Sequence, residues 1–374
     1  MRNNQQVNSI QMLRGICALL VVWAHSYIWV DDVYPNMGQN LFSFAFVGVD
    51  IFFIISGFII TYVTDNKKEQ VATLFLIKRF FRVVPLAWVA MLLYGFASGY
   101  SISDLFNNND FIKSLLFIPI DSSAQAPAYG YGFLIVTWTL IYEIIFYLIF
   151  SLSMLINGKY RSAICSVAIV TLVILLQYLS SDIVSLNTHE KLSLPDLSIF
   201  TSIYGVLANP MMFYFIVGMI LAEAYMIVPS KNNHIVGAMC LFVILLCLSY
   251  LTMVSIPYNR LITVGPWCAV IVLSMLIWEK IGGLKVPKVF ILLGSLTYSL
   301  YLFHKPIQML FYSRRLPGFE FFYAGFSGFS KLFFFTFLSI LISSCVFFTV
   351  EKFFIKLGRY FSNKLISCEE GKKI

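Results

Sequence analysis

Apolar runs of about twenty residues, divided by short polar breaks, recur along the whole chain. Runs of that length without strand-like alternation predict membrane-crossing helices rather than barrel strands. Ten spans can be drawn, at approximately 10–30, 42–64, 84–101, 134–156, 163–180, 207–227, 235–254, 262–278, 289–312 and 330–350. The segments 102–133 and 181–206 are rich in Ser, Asn, Asp, Pro or Gly and read as surface loops. Within the first of them, FIKSLLFIPI either lies on the surface or dips into the membrane as a re-entrant piece. The expected fold is an all-α polytopic transmembrane bundle of about ten helices. One membrane domain covers 1–351, followed by a basic cytoplasmic tail over 352–374.

Composition agrees with this pattern. The 374 residues are 59% hydrophobic and 12% charged, where a soluble chain has about a quarter charged. A formal charge of +8 suggests a polyanionic partner at first, but the placement of the basic residues excludes nucleic acid. Nineteen of the 26 Lys and Arg residues fall on one side, among them Arg2, Lys67, Lys68, Lys372 and Lys373. Seven fall on the other: Lys113, Lys191, Arg260, Lys305, Arg314, Arg315 and Lys331. That asymmetry predicts both termini in the cytoplasm. Six of the seven cysteines lie in apolar stretches and none forms a CxxC pair, so neither a disulfide framework nor a metal site is expected. The first span is read as a retained helix, since it is long, carries Arg14 at its start and lacks an evident cleavage site.

Charge inside the spans is where chemistry enters. Arg14 and His25 are eleven residues apart, close to three helical turns, so they share one face about 16 Å apart along the axis. Ala18, Val21 and Val22 fill that face between them. Ionisable groups are costly in lipid and mark functional positions facing a bundle interior or a wet cavity. Asp50 in FVGVDIFF, Glu143 in WTLIYEIIFY and His304 in SLYLFHKPI fall at a depth similar to that of His25, all roughly 8–14 Å from the outer boundary. At the inner face Lys78, Arg79 and Arg82 lie on the lead-in to the third span, with Pro85 placed in its first turn. With Arg14 they can form a basic mouth suited to phosphate.

Each position also has a plainer reading. Lys78, Arg79 and Arg82 serve topology as readily as phosphate binding. Asp50 fits a buried salt bridge or a helix cap as well as catalysis. Glu143 and His304 either act directly or orient another group. Trp138, Tyr142, Tyr147, Tyr298 and Tyr301 are packing or interface aromatics, with sugar stacking as the alternative. By physics alone a secondary transporter or lipid-linked glycan flippase fits ten helices with buried ionisable residues, although paired halves with matching interrupted helices are not seen.

Five segments, in order, resemble the acyltransferase 3 family of membrane-bound O-acyltransferases. They are LRGICALLVVWAH with Arg14 and His25, GVDIFFIISGFII, KRFFRVVPLAW with Arg79 and Arg82, WTLIYEIIFY with Trp138 and Glu143, and GSLTYSLYLFHKPI with Tyr298, Tyr301 and His304. The SIQ-x-LRG start looks most similar to exopolysaccharide acetyltransferases. Many members begin Asp-Gly-Leu-Arg-Gly, where this chain has Gln11, Met12 and Leu13 before Arg14, and many carry a second glutamate where this chain has Ile144.

The resemblance implies a multi-pass protein of the bacterial inner membrane, in contact with membrane lipids. It would transfer an acyl group, acetyl foremost, from cytoplasmic acyl-CoA to a hydroxyl of an O-antigen, exopolysaccharide or lipid-linked glycan. Acetyl-CoA would be a donor substrate rather than a resident cofactor. His25 would be the catalytic base, supported by Glu143 or Asp50. Arg14, Arg79, Arg82 and Lys78 would take the donor's phosphates. Trp138, Tyr142, Tyr298, Tyr301 and His304 would face the acceptor. Some relatives carry an additional periplasmic domain; here the reaction is expected to finish in the membrane domain or with a separate partner.

Overall fold

The computed structural model describes residues 6–66, 70–190, 192, 193, 195–197, 200–254, 259–313 and 325–371. Arg2, Lys67, Lys68, Lys191, Arg314, Arg315, Lys372 and Lys373, which enter the charge count above, lie outside the described residues. The chain is 78% helix, with no strand among the described residues. Among the described residues eight helices are long and apolar enough to cross a membrane, making this a multi-pass membrane protein. In a bilayer every backbone N–H and C=O must be answered within the protein, and helices do so within each segment.

The main helices are α1 (Asn8–Ala24), α2 (Val47–Val63), α3 (Ala72–Ser98), α4 (Trp138–Ile156), α5 (Arg161–Ser181) and α6 (Phe213–Ile227). They are followed by α7 (His234–Met253), α8 (Gly265–Lys280), α9 (Lys288–Ser313), α10 (Gly328–Val346) and α11 (Lys352–Gly371). The α1 helix is central, packed against α2, α8 and α9; α3 lies against α4, α9 and α11.

Glycines set the two closest approaches. A Cβ on Gly57 would collide with the carbonyl of Phe215, and one on Gly218 with that of Ile54, so α2 and α6 touch backbone to backbone. Between α1 and α9, a Cβ on Gly294 would meet the carbonyl of Gln11, and one on Gly15 would stand 3.0 Å from the Gly294 nitrogen. Small residues carry helix association in lipid this way, because burial from water supplies little driving force there.

Helix ends are answered by distant side chains. The α1 N-terminus has no cap of its own, and Glu279 at the end of α8 accepts from Asn8 N at 2.8 Å, Ser9 N at 3.0 Å and Ser9 Oγ at 2.6 Å. A carboxylate there satisfies orphan donors and complements the helix dipole. At the C-terminal end of α2, the buried Arg161 donates to Thr61 O at 2.9 Å and Thr64 Oγ1 at 2.7 Å. These contacts, and Lys231 N donating to Lys280 O at 3.0 Å, gather one face of the bundle, called here the amino-terminal face.

Two expectations change. The first span ends at Ala24 rather than at residue 30, with His25 as its cap residue. Gln308 Nε2 donates to the His25 carbonyl at 2.9 Å, occupying the acceptor that would continue the helix. The third helix begins at Ala72, so Pro85 lies in its interior and Arg79 and Arg82 belong to its body. The segment 102–133 makes no span. It holds the short helices Ile102–Asn107 and Asn109–Leu115, fixed by Trp88 Nε1 donating to Leu115 O at 2.9 Å. The last helix continues through a π-turn at Phe347–Glu351 into α11. That helix docks on α3, where Phe361 stacks on Phe81 at 5.4 Å and Gly358 lies under Phe81.

Replacing Gly218 with leucine should destabilise the bundle by about 1–3 kcal/mol, the usual cost of overpacking. Thermal unfolding in detergent measures this; an unchanged midpoint would show that α2 and α6 have room to separate.

Candidate active site

The four ionisable groups expected at one level separate into three places. Asp50, with no exposed surface, pairs with Arg260, whose Nη2 stands 2.7 Å from Asp50 Oδ2 and donates to Phe46 O at 3.0 Å. Arg260, assigned by sequence to an outer loop, is itself buried at the start of the short helix before α8. The Asp50 carboxylate makes no hydrogen bond to His25. Its ion pair fixes α2 to α8, the plainer of its two sequence readings.

Glu143 sits deeper. It accepts from Ser56 Oγ at 3.0 Å and from the Tyr147 hydroxyl. Ser56 is six residues beyond Asp50 on α2, about 9 Å along the helix axis. The α4 helix therefore presents Glu143 toward the amino-terminal face, and the structure does not bring it to His25.

His25 instead meets His304. Their ring centroids are 5.2 Å apart, and Phe46 closes on the edge of His25 at 5.9 Å. Nδ1 of His25 faces Val21 O at 2.8 Å, and Nδ1 of His304 faces Leu300 O at 3.2 Å. A carbonyl only accepts, so each neutral ring carries its proton on Nδ1 and presents Nε2 as the open basic nitrogen. Nε2 of His304 is buried without a hydrogen-bond partner among the described residues. Lys305 Nζ donates to Gln308 Oε1 at 2.6 Å, which turns the Gln308 amide N–H toward the His25 carbonyl. This chain holds α1 and α9 in register at the histidines.

Below the histidines, toward the amino-terminal face, lies a cavity of about 450 Å³. Arg14, Arg79, Arg82 and Arg359 line it, with Glu143 as the one carboxylate on its wall among the described residues. Lys78 lies off this wall, while Arg79 also stacks its guanidinium over Phe75 and Tyr147 at 5.5 and 5.7 Å. Val49, Phe52, Thr139 and Tyr301 also line it. Phe52 and Tyr301 meet edge to face at 5.9 Å, and Tyr301 lies 6.4 Å from the His304 ring. The Phe52–Tyr301 pair, called here the septum, thus lines the cavity on the side of His304.

The face of α1 between Arg14 and His25 is not open, since Ala18, Val21 and Val22 are all buried in the core. The cavity runs instead along α2, over Val49, Ser56 and Val63, and past Tyr298 on α9. Tyr298 donates to Val83 O at 2.6 Å, and the Tyr301 hydroxyl lies 3.0 Å from Val136 O and 2.7 Å from Thr139 Oγ1. Tyr142 turns the other way, donating to Pro127 O at 2.8 Å, with Trp138 packed on its edge. Of the aromatics expected at an acceptor site, Tyr298 and Tyr301 reach the cavity and Trp138 and Tyr142 hold the 102–133 segment.

Glu351 went unnoticed in the sequence, where it reads as the first residue after an apolar span. It is 2% exposed on the π-turn, accepts from Ser299 Oγ at 2.5 Å, and stands in electrostatic range of Arg82 and Arg14. The i→i+5 turn swings a carboxylate inward that a straight α-helix would carry past the arginines.

Fold and site together define a class: multi-pass membrane proteins that keep titratable and cationic groups inside the bundle. Residues 7–348 match the acyltransferase 3 family, described as an acyltransferase domain, and the chain belongs to that family. It is 27% identical over 268 residues to the exopolysaccharide production protein ExoZ of Rhizobium meliloti (strain 1021), covering 70% of this chain and 76% of that protein. No solved structure matches the chain.

Removing either partner of the Asp50–Arg260 pair leaves an unanswered charge in the bundle, at a cost of about 3–5 kcal/mol. Arg260→Ala should lower the thermal midpoint strongly, and adding Asp50→Ala should restore much of it. If the double variant is no more stable than Arg260→Ala, the pair is not what fixes α2 to α8.

Proposed function

We propose that this protein transfers an acyl group, acetyl foremost, from acyl-CoA to a hydroxyl of a bacterial exopolysaccharide or its lipid-linked precursor. Family membership supplies acyl transfer, and the ExoZ likeness supports exopolysaccharide as the acceptor class. The observation that carries the donor reading is the cavity, lined by four guanidinium groups against the carboxylates of Glu143 on its wall and Glu351 behind it. Such a cavity calls for an anionic ligand, and arginine matches phosphate through paired N–H donors. With the amino-terminal face in the cytoplasm, that ligand enters from the compartment that holds acyl-CoA, and the enzyme works in the inner membrane.

In this reading the phosphates rest on Arg14, Arg79 and Arg82, with Glu351 and Glu143 holding the guanidinium groups in position. The pantetheine arm lies along α2 past Tyr298, and the thioester passes the Phe52–Tyr301 septum to reach the histidines. Nε2 of His25 takes the proton of the acceptor hydroxyl as its oxygen attacks the thioester carbonyl. The tetrahedral intermediate collapses with cleavage of the C–S bond, and the imidazolium returns its proton to the departing thiolate. The ester and free CoA are the products. His304, its Nε2 otherwise unanswered, receives a hydrogen bond from the acceptor.

His25→Ala should abolish glycan acylation while the protein still accumulates in membranes; wild-type acylation in that variant would overturn the assignment. Arg14→Ala and Arg82→Ala should each raise the donor KM by about ten- to a hundredfold, the worth of one hydrogen bond to a charged group. Unchanged donor affinity in both would remove the phosphate-binding role.

A further inference from the structure

One face of α9 grips the chain at His25. His304, Gln308 and Tyr312 stand four residues apart on that helix and so share a face. His304 lies 5.2 Å from the His25 ring, and Gln308 Nε2 donates to the His25 carbonyl at 2.9 Å. One turn further on, the Tyr312 hydroxyl accepts from Trp29 Nε1 at 2.8 Å. The Gln308 contact stands where a backbone one would otherwise be. An α-helix would answer the His25 carbonyl from the N–H of residue 29, but the N–H of Trp29 turns to Ser26 O at 3.3 Å. A side chain from another helix answers it instead.

Gln308 is buried, and its amide has one orientation that suits both neighbours. Lys305 Nζ only donates and the His25 carbonyl only accepts, so Oε1 faces the lysine and Nε2 the histidine. Lys305, one turn back on α9, thus sets which end of the amide reaches α1. On the His25 side, Val21 O lies 2.8 Å from Nδ1 and accepts the backbone N–H at 3.2 Å. Ring and carbonyl are both tied, which leaves little freedom in the direction of Nε2. We infer that Gln308 is a positioning residue for acyl transfer: it fixes the backbone of His25 so that Nε2 stays aimed at the acceptor hydroxyl, with Lys305 selecting its amide orientation. This rests on the reading of His25 as the base proposed above. Misplacing a reacting group by about 1 Å can cost about a hundredfold in rate, so one hydrogen bond behind the base is enough to matter.

The test is steady-state kinetics of the full-length protein in detergent, with acetyl-CoA as donor and the producing bacterium's own exopolysaccharide, stripped of its acyl groups, as acceptor. Gln308→Met and Gln308→Glu keep the side-chain length but remove the N–H. Each should lower kcat about ten- to a hundredfold while the KM for acetyl-CoA stays within about twofold of wild type. Loosened packing would behave differently, because α1 and α9 also carry Arg14 and Tyr298 of the cavity, and the donor KM would rise as well. A donor KM that rises as far as kcat falls, or an unchanged kcat, overturns the positioning role. Lys305→Met should lower kcat by itself and cost nothing further in the Gln308→Met background; full additivity overturns the part assigned to Lys305. Should the first two variants not fold, Gln308→Asn, whose amide falls one methylene short of the carbonyl, is measured in the same way against the same outcomes. His25→Ala assayed alongside separates the two readings. Wild-type kcat in that variant removes the base, and the inference falls with it; loss of activity there with the Gln308 variants unaffected overturns the inference alone.

Discussion

A charge inside a membrane bundle must be answered by protein or by enclosed water, and that requirement governs this structure. Asp50 and Arg260 answer each other and leave nothing over for chemistry. Arg161 finds the carbonyl end of α2, and Glu279 finds the amino end of α1. What remains after these structural pairings is an arginine cavity and, above it, two imidazoles whose Nδ1 protons are fixed by the backbone. Ionisable groups inside a bilayer ordinarily face a bundle interior or a cavity, and these do both.

The close contact between α1 and α9 connects these two regions. Gly15 and Gly294 allow the helices to touch near Arg14, and Gln308 binds the His25 carbonyl at the other end. The same two helices therefore carry Arg14, the tyrosine of the septum and the histidine pair. A shift between them would disturb Arg14 and the histidines together, and the backbone contact leaves little room for one.

Helical architecture was plain in the sequence because hydropathy reports it directly: without solvent partners for the backbone, an apolar run of twenty residues has few alternatives to a helix. The paired approach of Arg14, Arg79 and Arg82 to one cavity was also visible, since all three stood near the same membrane edge. Depth was not. Span ends read from sequence are uncertain by several residues, about as far as the 9 Å separating Asp50 from Ser56 and Glu143. Groups on two levels consequently looked like one. The burial of Arg260 and Glu351 is hidden for a related reason: each stands at the edge of an apolar run, where a charge ordinarily meets water. Only the neighbouring helices reveal that both are buried.

The π-turn at Phe347–Glu351 has a geometric consequence beyond the carboxylate it carries. One extra residue accommodated in a helix rotates everything after it by about 100° relative to an unbroken α-helix. In this chain the rotated portion is α11, whose Gly358 and Phe361 must face α3 while Arg359 faces the cavity. The turn thus acts as a phase adjuster between two helical surfaces with different tasks, one reading the bundle and the other reading its entrance. Loss of a single residue there would preserve every apolar contact upstream and yet turn the entrance surface away from the cavity.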